Sequence, residues 1–202
     1  IQPAQSDETG TLTHLESAML TDILVRPYGG VVSRIHRLKT SRRKGVAALK
    51  ALEKRGLIAP EAVFTGASLI KLFDLTSEGR RFCQEQGLGP IPKPTEGGIV
   101  HRYLIHRAAQ KLESEGWTVE KEARIHDHLI LDLLASKGEQ RLAVLVETGK
   151  SKAKENIEKT MASGFQELWV VSDAPSVHQA VEVFLRKHRD EMRITLYTSA
   201  SL

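Results

Sequence analysis

Between Gly87 and Gly98 the chain reads Gly-Leu-Gly-Pro-Ile-Pro-Lys-Pro-Thr-Glu-Gly-Gly, with three prolines and four glycines in twelve residues. Proline lacks a backbone donor and fixes φ, and glycine propagates no regular element, so neither a helix nor a central strand runs through this stretch. A chain of 202 residues punctuated there is expected to fold as two bodies. The boundaries this predicts are 10–87, a linker over 88–98, and 99–198. Each body is then close to the common domain size of about 100 residues.

The two halves differ in charge. Residues 10–88 hold 13 Lys/Arg against 7 Asp/Glu, whereas residues 97–202 hold 15 of each. The net charge of +4 is therefore concentrated in the first half, where attraction to a polyanion such as DNA would be strongest. A hydrophobic content of 41% with 27% charged residues is globular composition. No apolar run is long enough to span a membrane. The start, Ile1-Gln-Pro-Ala-Gln-Ser-Asp-Glu-Thr-Gly10, has neither a basic n-region nor an apolar core, so it is no secretory signal. It has no initiator Met, which predicts a segment of a longer protein with further chain upstream. Cys83 is the single cysteine, which excludes an internal disulfide and a zinc-finger cage and suits the cytoplasm.

In the first half, Leu12, Leu15, Met19, Ile23 and Leu24 recur at helical spacing, with Thr11 or Thr13 as cap and Pro27-Tyr-Gly-Gly30 as stop. A second helix is expected over Val31–Leu38 and a third from Ser41, ending at Gly56. Leu57-Ile-Ala59 reads as a strand, 60–68 as a loop, Leu69–Leu75 as the returning strand, and Thr76-Ser-Glu-Gly79 as the start of a closing helix. Three helices, a hairpin and a helix give a winged helix-turn-helix order. The strings Ala48-Leu-Lys-Ala-Leu-Glu-Lys-Arg-Gly-Leu-Ile58 and Phe73-Asp-Leu-Thr-Ser-Glu-Gly79 resemble winged-helix domains of the MarR-like kind.

In such folds the start of the third helix meets phosphates and base edges. That makes Lys39, Ser41, Arg42, Arg43 and Lys44 the candidate DNA-binding residues, with Thr65, Ser68 and Lys71 in the wing as further backbone contacts. Cations at a helix start oppose the helix dipole, so a cluster there suits an external anion. A solvated helix start, or a winged helix that binds protein, is the alternative.

The second half is expected to form a helix over 100–116, three turn-linked strands, then helix, strand, helix and strand: a mixed β-sheet flanked by helices, α/β and α+β in class. Two acids stand out. Asp132 sits inside Leu129-Ile-Leu-Asp-Leu-Leu-Ala135, where an unpaired carboxylate is costly. Glu147 ends the apolar run Leu142–Val146. A hairpin turning near Gly138 can bring them side by side as a hard oxygen site for Mg²⁺ or Mn²⁺.

This pattern resembles the PD-(D/E)XK nucleases, of restriction-endonuclease-like fold. The resemblance implies Asp132 and Glu147 as metal ligands and catalytic acids. The family's lysine position falls on Gly149, a departure that leaves Lys150 or Lys152 to supply the catalytic cation. His101 stands near where many members carry a helix glutamate. A finer resemblance joins Gly97–Leu104, Val144–Lys152, Asn156–Lys159 and Leu168–Ser172 to C-terminal regions of FtsK/HerA-type DNA-pumping ATPases of mobile elements. It implies an upstream ATPase domain or partner protein, and a homo-oligomer is possible.

Gly149-Lys150-Ser151 is no P-loop, because position 144 is Val144 instead of glycine. His126-Asp-His128 reads as edge or turn in preference to a metal site. The expectation is thus a cytoplasmic DNA-processing protein with a Mg²⁺-dependent endonuclease-like domain. The alternatives are a non-catalytic DNA-binding adaptor and a transcriptional regulator with a degenerate nuclease fold.

Overall fold

The computed structural model describes residues 11–65, 68–91, 97–126, 129–148, 153–187 and 193–202. The chain divides into two compact units, one of Ile1–Glu61 with Lys71–Pro94 and the other of Ala62–Ile70 with Thr95–Leu202.

The first half of the chain forms α1 (His14–Val25), α2 (Val31–Arg37), α3 (Arg42–Lys54), β1 (Ile58–Phe64), β2 (Leu69–Leu75) and α4 (Ser77–Glu85), of which all but the wing tip, 62–70, falls in the first unit. This is the winged helix-turn-helix order. Three of these four helix starts carry a side-chain cap. Thr13 accepts from the N–H of Glu16 while the Glu16 carboxylate takes the N–H of Thr13, a closed capping box. Ser41 caps α3 and Thr76 caps α4. The glycine of the Leu-Thr-x-x-Gly string is steric in origin: a Cβ on Gly79 would lie 1.9 Å from the carbonyl oxygen of Leu57. The first turn of α4 therefore seats directly on the backbone leading into β1. Met19, Leu20, Leu52 and Cys83 are fully buried in a core that also takes in Ile23, Leu49, Leu57 and Phe73. Each large apolar side chain of this kind contributes about 1.5–3 kcal/mol.

β1 extends through Pro60 to Phe64, where the sequence predicts a loop. A two-stranded ribbon has only edges, so the missing proline donor is tolerated.

The second unit comprises α5 (Ile99–Ser114), β3 (Thr118–His126), β4 (Leu129–Lys137), β5 (Gln140–Val146), α6 (Ala153–Ala162), β6 (Glu167–Val171), α7 (Pro175–Lys187) and β7 (Arg193–Tyr197). The sheet order is β3-β4-β5-β6-β7. The turn-linked pairs β3–β4 and β4–β5 are antiparallel, and the helix-linked pairs β5–β6 and β6–β7 are parallel, as the connection lengths predict. Leu142 to Val146 are buried without alternation, as are Leu168 to Val171, so both faces of the central strands are covered. Among the described residues no helix is long and apolar enough to cross a membrane.

Candidate functional site

Two groups of predicted residues have a defined geometry. The first is the start of α3. Ser41, Arg42, Arg43 and Lys44 are all exposed. The Ser41 hydroxyl is committed to its helix, accepting from the N–H of Lys44 at 3.3 Å. No acidic residue lies in the first turn of α3. Among the described residues, Arg42, Arg43 and Lys44 form no ion pair.

Lys39 precedes them, exposed, in the turn between α2 and α3 with φ of +48°. That left-handed position after a helix end usually goes to glycine. In the wing, Thr65 bonds to Ser68 across the turn, and Lys71 pairs with Glu53 at 3.5 Å, so the Lys71 charge is compensated within the chain.

Behind this surface lies a network that periodicity does not reveal. Asp22 of α1 accepts from Arg34 Nη1 at 2.6 Å, from Arg37 Nε at 2.7 Å and from Arg37 Nη2 at 3.0 Å. Arg34 is fully buried and donates also to the Pro27 carbonyl. Burial pushes the Asp22 pKa up, but the bonds from Arg37 and Arg34 outweigh it and hold the carboxyl below its usual range. The network pins α2, and so the turn that leads into α3.

The second group lies in the α/β unit, where α5, β4, the end of β5 and α6 meet. His101 is the third residue of α5, and its Nε2 stands 3.0 Å from Asp132 Oδ1. The other Asp132 oxygen accepts the backbone N–H of Val146 at 2.7 Å. The β4–β5 register runs from Lys137↔Gln140 to Leu133↔Val144. Just beyond it, the Asp132 carboxylate satisfies a donor that a strand carbonyl would otherwise take. Glu147 follows β5, held by its N–H to the Val171 carbonyl and by its own carbonyl, which accepts the Ser172 hydroxyl. The residue is 2% exposed, and its carboxylate accepts from Asn156 Nδ2 at 2.8 Å.

Burial pushes the Glu147 pKa up, the Asn156 bond lowers it, the Asp132 charge raises it and the His101 charge lowers it; the net direction is up. The His101 pKa is raised above 6.5 chiefly by its bond to Asp132, against burial, with the charges of Asp132 and Glu147 and the Val146 carbonyl adding to the rise.

The donor set does not fit a resident Mg²⁺. That ion demands near-octahedral oxygen coordination, and both Asp132 oxygens and one Glu147 oxygen already accept bonds from protein donors. Among the described residues no group of three or more His, Cys, Asp or Glu is gathered to hold a metal ion. Gly149, Lys150, Lys152, Asp127 and His128 lie outside the described residues. His126 ends β3, an edge strand of the sheet. Asn156 is the site residue the sequence did not single out, since nothing in its spacing from Glu147 distinguishes it from any polar residue on the next helix.

No family model matches the chain, and no curated protein matches it. Among solved structures, the chain is similar to a variant of Lactococcus lactis ZitR at 18% identity. That match covers 57% of this chain and 68% of ZitR with a TM-score of 0.35. It is similar also to Bacillus subtilis PadR in complex with operator DNA, at 14% identity over 88% of this chain and 93% of PadR, with a TM-score of 0.33. Superpositions this loose carry no argument about function.

Proposed function

We propose that the protein is a non-catalytic DNA-binding protein, gripping duplex DNA with its winged helix and carrying a degenerate nuclease-like α/β unit. One observation carries the DNA reading: three cations crowd the start of the 13-residue α3 on exposed positions, with no internal counter-ion among the described residues. Positive charge at the positive end of a helix dipole is unfavourable alone and favourable beside phosphate. Arg42, Arg43 and Lys44 take the phosphates, with Lys39 from the preceding turn. Such contacts give affinity and register without choosing a sequence.

The order α5-β3-β4-β5-α6-β6 supports a PD-(D/E)XK-like reading of the second unit, because it sets Asp132 on the second strand and Glu147 at the end of the third. The engaged carboxylates support loss of the chemistry. Duplex DNA titrated with full-length protein in low salt should show salt-sensitive binding, and no DNA structure should be cut with Mg²⁺ or Mn²⁺. A protein that binds no DNA overturns the reading.

A Mg²⁺-dependent nuclease using Asp132 and Glu147, with Lys150 or Lys152, is the competing reading, favoured by the convergence of the two acids on one rim. Cleavage that is lost in Asp132→Ala and Glu147→Ala would establish it. A footprint on one palindromic operator would specify a transcriptional regulator. An upstream DNA-pumping ATPase and a second copy of the chain are the protein partners this reading takes, to be tested by co-purification and sizing.

A further inference from the structure

We infer that His101 is the built-in plug of the acid cluster: its ring takes one Asp132 oxygen while the Val146 N–H takes the other, and so closes the site to metal. The inference rests on the non-catalytic reading of the α/β unit and gives that reading a cause.

Three features converge on the ring. Nε2 lies 3.0 Å from Asp132 Oδ1, and the same carboxylate is fixed from its other oxygen by the Val146 N–H at 2.7 Å, so the acceptor is held in place by the sheet. The chain before α5 is shaped around the ring as well. Gly97 has φ of +87°, a conformation L side chains rarely adopt, and a Cβ there would lie 2.6 Å from His101 Cδ2. Any other residue at 97 would displace the imidazole. Finally, α5 opens on Gly98 with no side-chain cap and no acidic residue in its first turn. The partially positive helix start thus lacks an acid of its own, and Asp132 supplies one from β4. Two carboxylates close to one another repel, and a hydrogen-bond donor on one of them relieves that repulsion. Here the His101 ring supplies the donor, and the Asp132 oxygen it engages is lost to a metal ion.

The test is manganese binding to the full chain. Wild-type protein should show no calorimetric uptake, and its Val146 and Glu147 amide signals should show no selective paramagnetic broadening. His101→Ala should gain uptake at least roughly tenfold tighter, a change of about 1.4 kcal/mol. Adding Asp132→Ala to it should abolish the gain. If His101→Ala is poorly folded, manganese should raise its melting temperature while leaving the wild type unmoved. Selective broadening in the wild type overturns the inference, as does a His101→Ala protein that neither binds manganese nor is stabilised by it. Manganese uptake by the wild type without DNA cleavage removes only this inference, whereas uptake with cleavage removes the non-catalytic reading too.

Discussion

The starts of α3 and α5 pose the same electrostatic problem and answer it differently. Each carries cationic residues in its first turn and no acid there. In α5 the answer is internal: His101 meets Asp132 from a neighbouring strand. In α3 the answer is absent from the described chain: Arg42, Arg43 and Lys44 stand exposed with no ion pair. A charge satisfied inside the fold works for the fold. A charge left at the unfavourable end of a dipole, on the exposed surface, contributes nothing to the helix that carries it. That difference is why we propose a structural role for the α/β cluster and a polyanion partner for the α3 cluster.

The largest expected effect comes from the internal type of pairing taken to its limit. Asp22→Ala would leave the fully buried Arg34 charge without its carboxylate, and should cost the winged-helix unit about 3–5 kcal/mol, read by urea denaturation. Because the Asp22 pKa is depressed, its contribution is present above 3.8 and is lost as pH falls through its lower folded value, so this unit should be acid-labile.

The α/β unit should respond to pH in the opposite sense. The His101 and Glu147 pKa values are both raised. The His101 contribution is complete below 6.5 and is lost as pH rises through its folded value, and that of Glu147 falls likewise as pH climbs from the carboxylate range. Protection factors of the β4 and β5 amides, corrected for the intrinsic base-catalysed exchange rate, should therefore fall from mildly acidic to mildly basic pH. Asp132→Asn should flatten the His101 part of that change. A flat wild-type profile would break the contrast between the two helices.

Arg42→Ala with Arg43→Ala removes charges that oppose a helix dipole, so the free protein should become more stable by about 0.3–1 kcal/mol per site, seen as a small rise in melting temperature. A loss of stability would mean that these side chains serve the fold after all. The smallest effect belongs to Lys39→Gly. Relief of the left-handed backbone, less the extra freedom of glycine when unfolded, should give about 0.5 kcal/mol of stabilisation.

Most of the architecture was legible in the chain. The breaker cluster at 87–98, the helical spacing of Leu12 to Leu24 and the lengths of the β5–β6 and β6–β7 connections each report on local geometry that backbone physics fixes directly. The extension of β1 through Pro60 was not legible, because tolerance of proline depends on the strand having a free edge, which only the assembled sheet defines. Asp132 and Glu147 drew attention as acids in apolar runs, but their engagement was hidden. Val146 N–H reaches Asp132 only where the β4–β5 register gives out, and Asn156 reaches Glu147 only once α6 is docked. The Asp22–Arg34 pair, twelve positions apart on two helices, is a tertiary fact with no periodic trace.

If α3 faces phosphate, the salt dependence of duplex binding measures it directly. Comparing wild type with Arg42→Ala/Arg43→Ala, the slope of log affinity against log salt should become shallower by about 1.8, near 0.9 for each phosphate contact removed. An unchanged slope in the double variant, or a wild-type affinity indifferent to salt, would contradict it.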